Sequence, residues 1–356
     1  MSFNVMLPIC DTGYGMVSYN IWHNLYQKYK EVALFPIGGD VTLSADQNRE
    51  GVIQSLKNST VFHGEYPTLK VWHPNDLIIK VAGKSKYGTM SFFETDTLSQ
   101  QERNSLSCCD VIFSPSQWAK DVMIANDIKN TIEICPLGVD LHIFDNVVPE
   151  DKLQDKYIFI NIGKWETRKG HDLLVHIFNK AFTKEDNVEL WMMNHNTFLS
   201  AEKQKAWENI YKSSPLGDKI RIFPRLSDQK SLGKAVAYAD CGIYISRGEG
   251  WNNEVLENMA MNKPIITTNY SAHTQYCTPE NSYLVEIQEQ EKAQDGIWFF
   301  GTGNWAKLGC EQIDQTIAHM RYVYKNNIRT NPNGLETARK LQWQTTADTI
   351  SNILLN

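Results

Sequence analysis

Residues 244–267 read Y-I-S-R-G-E-G-W-N-N-E-V-L-E-N-M-A-M-N-K-P-I-I-T. An apolar strand (Ile243 to Ile245) enters a glycine-broken loop carrying Glu249, an Asn pair opens a helix with Glu257 in its first turns, and a second apolar strand follows. A chain that runs from strand through loop and helix to strand in so few residues is committed to a parallel α/β sheet, because parallel neighbours need a crossover. Ligands bind at the loop end of such a sheet. Gly248 and Gly250 permit backbone conformations and close approaches that a side chain blocks, and the new helix presents unpaired N–H groups with partial positive charge. The pattern suits an anion flanked by two carboxylates.

The same alternation recurs along most of the 356 residues. Val5–Ile9 is a strand, D-T-G-Y-G a turn with Gly13 and Gly15, and Val17, Ile21 and Leu25 recur every four residues on a helix. That loop fits either a phosphate or sugar cradle or a tight turn with no ligand. Further strands are expected at Val32–Phe35, Leu77–Val81, Thr89–Phe93, Val111–Phe113 and Thr131–Cys135. After the Pro- and Gly-bearing segment 136–149 the pattern restarts at Tyr157–Ile162, with strands at Val188–Met193, Ile220–Phe223, Cys241–Ile245 and Pro264–Thr267. Two domains are therefore expected, 1–152 and 153–335, both Rossmann-like and facing each other across a cleft.

Composition narrows the class. The chain is 42% hydrophobic and 21% charged, far from a disordered composition. No apolar run approaches the ~20 residues that span a bilayer, and the start M-S-F-N-V-M-L-P-I-C reads as a buried strand rather than a leader, so a cytoplasmic protein is expected; peripheral membrane contact stays open. Seven scattered cysteines without C-x-x-C indicate neither a disulfide framework nor a zinc site. Residues 1–150 hold 11 Lys+Arg against 17 Asp+Glu, which disfavours wide contact with nucleic acid.

The loop after the first strand of the second half is G-K-W-E-T-R-K-G. Lys164 and Lys169 flank it and can hold a diphosphate, while Arg168 and Arg247 are second candidates for the same charge. Alone, K-x-x-x-x-K reads better as a solvated basic turn, a preference that the downstream Glu loop reverses, and both arginines can be salt-bridged.

With these residues the sequence resembles the retaining GT-B glycosyltransferases of the large group 1, family 4 type. E-G-W-N-N-E-V-L-E is similar to that family's E-x7-E signature, with Glu249 and Glu257 as its glutamates, and G-K-W-E-T-R-K-G to its phosphate-binding loop. P-L-G-V-D, F-S-P-S and G-T-G-N-W-A follow in family order. The resemblance implies a GT-B architecture in which 1–152 binds the acceptor and 153–335 the nucleotide sugar, a nucleotide-diphosphate sugar as donor, UDP- or GDP-linked first of all, and no cofactor. It implies that Glu249 contacts the sugar, Glu257 the ribose, and the backbone around Gly250, Asn252 and Asn253 the phosphate or sugar. It also implies that a C-terminal helix, 336–356, packs back on the first domain.

The histidine usual in that family's pocket is replaced by G-T-M-S-F-F-E-T-D-T. Glu94 becomes the candidate for contacting the reacting sugar, with Asp96 behind it on the acceptor side; a helix N-cap role for Thr95 or Asp96 is the plainer alternative. His273 is a further acceptor candidate, or a residue that satisfies a loop carbonyl. No D-x-D occurs in the chain, and Glu94-x-Asp96 is isolated, so metal independence is expected. W-M-M-N-H-N and Arg225 depart from the family near the expected base pocket, leaving the base open. The implied reaction is transfer with retention to the hydroxyl of a glycan, lipid or small molecule. Action on hydroxylated bases in DNA and a catalytically silent donor-binding subunit are the alternatives.

Overall fold

A computed structural model describes residues 2–29, 31–61, 63–81, 83–145, 149, 152, 156–226 and 228–356. The chain divides into two units, Met1–Gly138 with Leu341–Asn356, and Val139–Lys340. The boundary expected between 152 and 153 adjoins 153–155, which lie outside the described residues.

The first unit contains β1 (Phe3–Leu7), α1 (Gly13–Tyr29), β2 (Val32–Pro36), α2 (Arg49–Asn58), β3 (Thr68–Val71), β4 (Tyr87–Met90), α3 (Gln100–Leu106), β5 (Val111–Ser114), α4 (Gln117–Ala125) and β6 (Thr131–Ile134). The second follows with β7 (Tyr157–Gly163), α5 (His171–Ala181), β8 (Val188–Asn194), α6 (Ala201–Lys212), β9 (Ile220–Ile222), α7 (Gln229–Tyr238), β10 (Cys241–Tyr244), α8 (Asn253–Ala260), β11 (Ile265–Asn269), β12 (Tyr283–Glu286), the hairpin β13 (Gln290–Gln294) and β14 (Phe300–Ala306), α9 (Cys310–Lys325) and α10 (Pro332–Lys340). The last helix, α11 (Trp343–Leu355), belongs to the first unit and packs on α1.

Each unit is built on a six-stranded parallel sheet, ordered β2-β1-β3-β4-β5-β6 and β12-β11-β10-β7-β8-β9. The second order is that of a Rossmann sheet, and its direction of winding reverses between β7 and β10. Both strands are nearly continuous apolar runs, as sheets covered on both faces require. The core of the second unit gathers Phe159, Leu174, Ile177, Phe178, Leu190 and Ile243, so one apolar stripe of α5 covers the β7–β8–β10 region.

One expectation about the first sheet needs correction. Leu77–Val81 is not a strand: Leu77 is buried, but Ile78 and Ile79 face solvent, and the carbonyl of Ile79 accepts from Lys70 Nζ at 2.7 Å. The strand lies earlier, at β3, where T-L-K-V reads as polar because of Lys70. That lysine is buried at the sheet centre, and its ammonium is satisfied by the Ile79 carbonyl and by Asp76 at 3.8 Å.

Ile350 of α11 is fully buried. Ile350→Ala is expected to destabilise the first unit by about 2–5 kcal/mol through lost burial and a cavity, read as a lower denaturation midpoint; an unchanged midpoint would show that α11 is not part of that unit's core.

Candidate active site

The loops after β7 and β10 lie side by side at the reversal of the second sheet, and glycine geometry holds them together. Gly163 ends β7 with φ 145°, and a Cβ there would stand 3.0 Å from the Lys169 side chain. Gly170, at φ 75°, opens α5 beneath Ile245, where a Cβ would lie 2.3 Å from the Ile245 carbonyl oxygen. Arg247 N donates to the Arg168 carbonyl at 2.6 Å, so the two loops share a backbone bond.

On this frame sits a chain of buried charges. Lys164 Nζ is 2.9 Å from Glu166 Oε1. Arg168 donates to Glu166 Oε2 from Nε (3.1 Å) and Nη2 (2.8 Å), and its Nη1 donates to the Gly248 carbonyl at 2.6 Å and meets Glu249 Oε2 at 2.9 Å. Lys169 Nζ donates to Glu249 Oε1 at 2.9 Å and lies 3.7 Å from Glu254. Ser246 Oγ donates to Glu249 Oε1 at 2.7 Å, and Ser271 Oγ accepts from the Glu249 backbone N–H. Glu166, Arg168, Lys169 and Glu249 are all buried, whereas the Lys164 side chain is 47% exposed.

Burial pushes the Glu249 carboxyl up, but Arg168 and Lys169 outweigh it and hold the group well below the usual carboxylate range. Glu166 is lowered in the same way, burial being overcome by Arg168 and Lys164. Burial pulls Lys169 down, and Glu249 and Glu254 more than reverse it. Beneath the chain, His171 is buried to a pKa of about 3 and is therefore a neutral imidazole, with Nδ1 accepting from Glu166 N and Nε2 2.9 Å from Asn161 Oδ1. Asn194 Nδ2 donates to the same Asn161 oxygen at 2.8 Å. These neutral amides and Glu166 are site residues that sequence reasoning missed; the one signal for them was an asparagine inside the apolar strand Y-I-F-I-N-I-G.

Arg247 is a strut. It grips Asp172 through two bonds of 2.8 and 2.9 Å, reaches the Thr167 carbonyl, and stands 3.4 Å from Glu291. Arg168 is likewise consumed by Glu166, Gly248 and Glu249. Lys164 is the partly exposed cation of the loop.

The start of α8 carries unpaired polar atoms. Neither Gly248 nor Gly250 adopts a left-handed φ, contrary to expectation; Asn252 does, at 77°. Among the described residues, its buried side-chain amide has no partner on either atom, and Trp251 Nε1 and Asn253 Oδ1 are also unpartnered. Tyr276 Oη clamps this turn by donating to the carbonyls of Trp251 (3.0 Å) and Asn252 (2.6 Å). Each buried unsatisfied group costs about 1–3 kcal/mol, so such a cluster calls for a polar ligand or ordered water to satisfy it. Glu257 lies one turn on, half-buried, with a pKa raised to about 8 by burial and then by Glu254.

Of the remaining candidates, His273 follows Ser271 and Ala272, which both bond the Glu249 backbone, and the others fall in the first unit. His273 is fully buried, its Nε2 2.6 Å from the Thr268 carbonyl. Gly13, Gly15, Glu94 and Asp96 belong to the first unit. Gly15 is demanded by packing, since a Cβ would lie 2.2 Å from the Cys10 carbonyl oxygen, while Gly13 faces open space. Tyr14 between them donates to the Phe92 carbonyl (3.4 Å) and accepts from Phe92 N (3.2 Å), tying the glycine loop to the segment that carries half-buried Glu94. Asp96 accepts from Thr97 Oγ1 at 2.9 Å, and the cap of α3 is Ser99 with Glu102, not Thr95 or Asp96.

Glu249→Gln leaves Arg168 and Lys169 buried with one partner fewer and is expected to cost about 3–5 kcal/mol. Because the folded pKa values of Glu249 and Glu166 are depressed, their contribution is complete above the unfolded carboxylate pKa of ~4.3 and is lost as pH falls below it. The variant should therefore flatten the acid limb of a stability-versus-pH curve; an unaltered limb would show that the pair is not coupled to folding.

Residues 156–298 match the family Glycosyl transferases group 1. An uncharacterized glycosyltransferase of Methanocaldococcus jannaschii is 27% identical over 177 residues, which is 45% of this chain and 39% of that protein. Among solved structures, sucrose-phosphate synthase from Thermosynechococcus elongatus superposes with TM-score 0.72 at 14% identity, covering 99% of this chain and 98% of that one. A glycosyltransferase from Rickettsia africae gives 0.69 at 15%, covering 99% and 97%. Anabaena HepE in complex with UDP and glucose gives 0.71 at 12%, covering 99% of each chain. The chain is thus similar in sequence to group 1 glycosyl transferases over 156–298, the segment that holds the buried charges, and it has the GT-B fold of two Rossmann-like units over its whole length.

Proposed function

We propose that this protein is a metal-independent retaining glycosyltransferase that takes a sugar from a nucleotide diphosphate, UDP- or GDP-linked, to an acceptor hydroxyl. The observation that carries the reading is the Glu249–Lys169 pair set beside the unpartnered Trp251, Asn252 and Asn253 groups at the reversal point of the second sheet. The likeness of residues 156–298 to group 1 glycosyl transferases supports it, as does the UDP and glucose complex of HepE.

The residues divide the work by charge. Lys164, half exposed, and Lys169 offer two ammonium groups to the diphosphate and stabilise the charge that grows on it as the bond to the anomeric carbon breaks. Glu249 already accepts from Lys169, Ser246 and Arg168, which leaves about one of a carboxylate's ~4 acceptor sites for a sugar hydroxyl. That limit fixes the sugar's orientation. The acceptor oxygen bonds to the anomeric carbon on the face the diphosphate leaves, and the acceptor's proton passes to the departing phosphate oxygen. Lysines in place of a carboxylate pair support metal independence. Glu257, one turn into α8, accepts from the ribose hydroxyls in its ionised form.

Two outcomes are expected. In EDTA, one of the UDP-, GDP-, ADP- or TDP-sugars raises the melting temperature and is slowly hydrolysed; Glu249→Ala abolishes the hydrolysis, and Lys164→Ala, whose half-exposed site tolerates truncation, raises donor KM about tenfold. Stabilisation by none of them would overturn the reading. Because ribose hydroxyls bind the ionised Glu257 carboxylate, donor affinity should rise with pH and level off above about 8, and Glu257→Gln should remove the dependence. A donor Kd that is flat across that range in the wild type would remove Glu257 from the donor site.

A further inference from the structure

The tip of the hairpin β13–β14 carries exposed aromatics to which the donor contacts proposed above assign no role. At its tip Ile297, Trp298 and Phe300 are 38%, 43% and 73% exposed, and Phe198, from the loop after β8, is 62% exposed and meets Trp298 edge to face at 6.1 Å. Large aromatics held together in solvent are uncommon on a folded surface and mark a binding face.

The tip is rigid. Asp295 Oδ1 accepts from the backbone N–H groups of Ile297, Trp298 and Phe299 at 2.8, 2.8 and 2.9 Å, and Gly296 takes φ 72° to make the turn. Phe299 folds inward onto Trp305 at 5.1 Å, which turns its neighbours out. The base of the hairpin is fixed to the loop that carries Glu249: Ala306 N donates to the Arg247 carbonyl at 2.8 Å, and Glu291 accepts from Trp305 Nε1 at 3.3 Å while pairing with Arg247. The far end reaches the other loop of the site, where Lys164 Nζ stands 5.7 Å from the centre of the Phe198 ring.

We infer that Phe198 and Trp298 form a stacking platform for a neutral saccharide, the acceptor of the transfer. This rests on the transferase reading above and names its acceptor class. Aromatic faces pack against the C–H face of a pyranose ring while its hydroxyls remain hydrated at the edges, and the platform adjoins the cation assigned to the departing phosphate. An anionic bilayer is the poorer fit: segment 289–307 carries Glu289, Glu291 and Asp295 against Lys292 and Lys307, a net charge of −1, whereas a surface anchor gains from surplus lysine.

The test has one readout independent of catalysis. Linear oligosaccharides of glucose, galactose, mannose and N-acetylglucosamine are titrated by saturation-transfer NMR against wild type, Trp298→Ala and Trp298→Tyr. At least one should bind the wild type, with affinity about tenfold weaker in Trp298→Ala and largely restored by Trp298→Tyr; in turnover the same factor should appear in acceptor KM and not in donor KM. Absence of binding by every sugar, equal binding by Trp298→Ala, a fall in donor affinity instead, or Trp298-dependent binding to phosphatidylcholine–phosphatidylserine vesicles would each overturn the platform. Sugar binding that depends on Trp298 without any donor hydrolysis would leave the platform standing and sink the transferase reading.

Discussion

Everything around the candidate site depends on one buried carboxylate. Glu249 is clamped between Arg168 and Lys169, and those residues lie on a loop eighty positions earlier in the chain. Removing charges from water is costly, and attraction in a low-dielectric interior repays the cost only where every partner is close and well aimed. Here each is: Glu166 holds the other face of Arg168, Ser246 and Ser271 fix the Glu249 side chain and backbone, and the Gly248 carbonyl completes the guanidinium. The two loops cannot drift apart without stranding charge.

That constraint explains the neighbouring oddities. Gly170 adopts a left-handed conformation and lies against the Ile245 carbonyl because the loops must touch for the ion pairs to close. His171 stays neutral because it is buried beside Lys169 and Arg168, where an added positive charge would be repelled, and so it serves as a hydrogen-bonding brace for Asn161 and Glu166. Arg247 and Asp172 tie the β10 loop to α5, and through Glu291 to the aromatic hairpin. The paired charges of the two loops and the polar turn at Asn252 are thus consequences of one packed network rather than separate devices.

Much of this was legible in the sequence. Strand and helix periods were clear wherever strands are continuously apolar, as in β7, β8 and β10, and the glutamates and lysines of the second unit stood out because loops after such strands carry function. Other features were hidden for identifiable reasons. Lys70 disguised β3, since a buried lysine satisfied by a distant carbonyl looks like a surface residue in a linear pattern. Asn252, not a glycine, takes the left-handed turn, which asparagine tolerates and composition does not announce. Glu166 and Arg168 looked like parts of a solvated basic turn, and only the fold brings Glu249 to them. The hairpin β13–β14 was invisible because its exposed aromatics imitate a core strand.

Sequence by itself determined the parallel α/β architecture and the residue types available for the site, because periodicity and glycine punctuation are local properties that survive without tertiary context. Only the tertiary structure decided which charges are spent on one another and which remain open. Arg168 and Arg247 are consumed as struts, Lys164 stays half exposed, and the buried Asn252 amide has no partner among the described residues. Pairing and desolvation depend on distances between segments far apart in the chain, and those distances exist only once the sheet has closed.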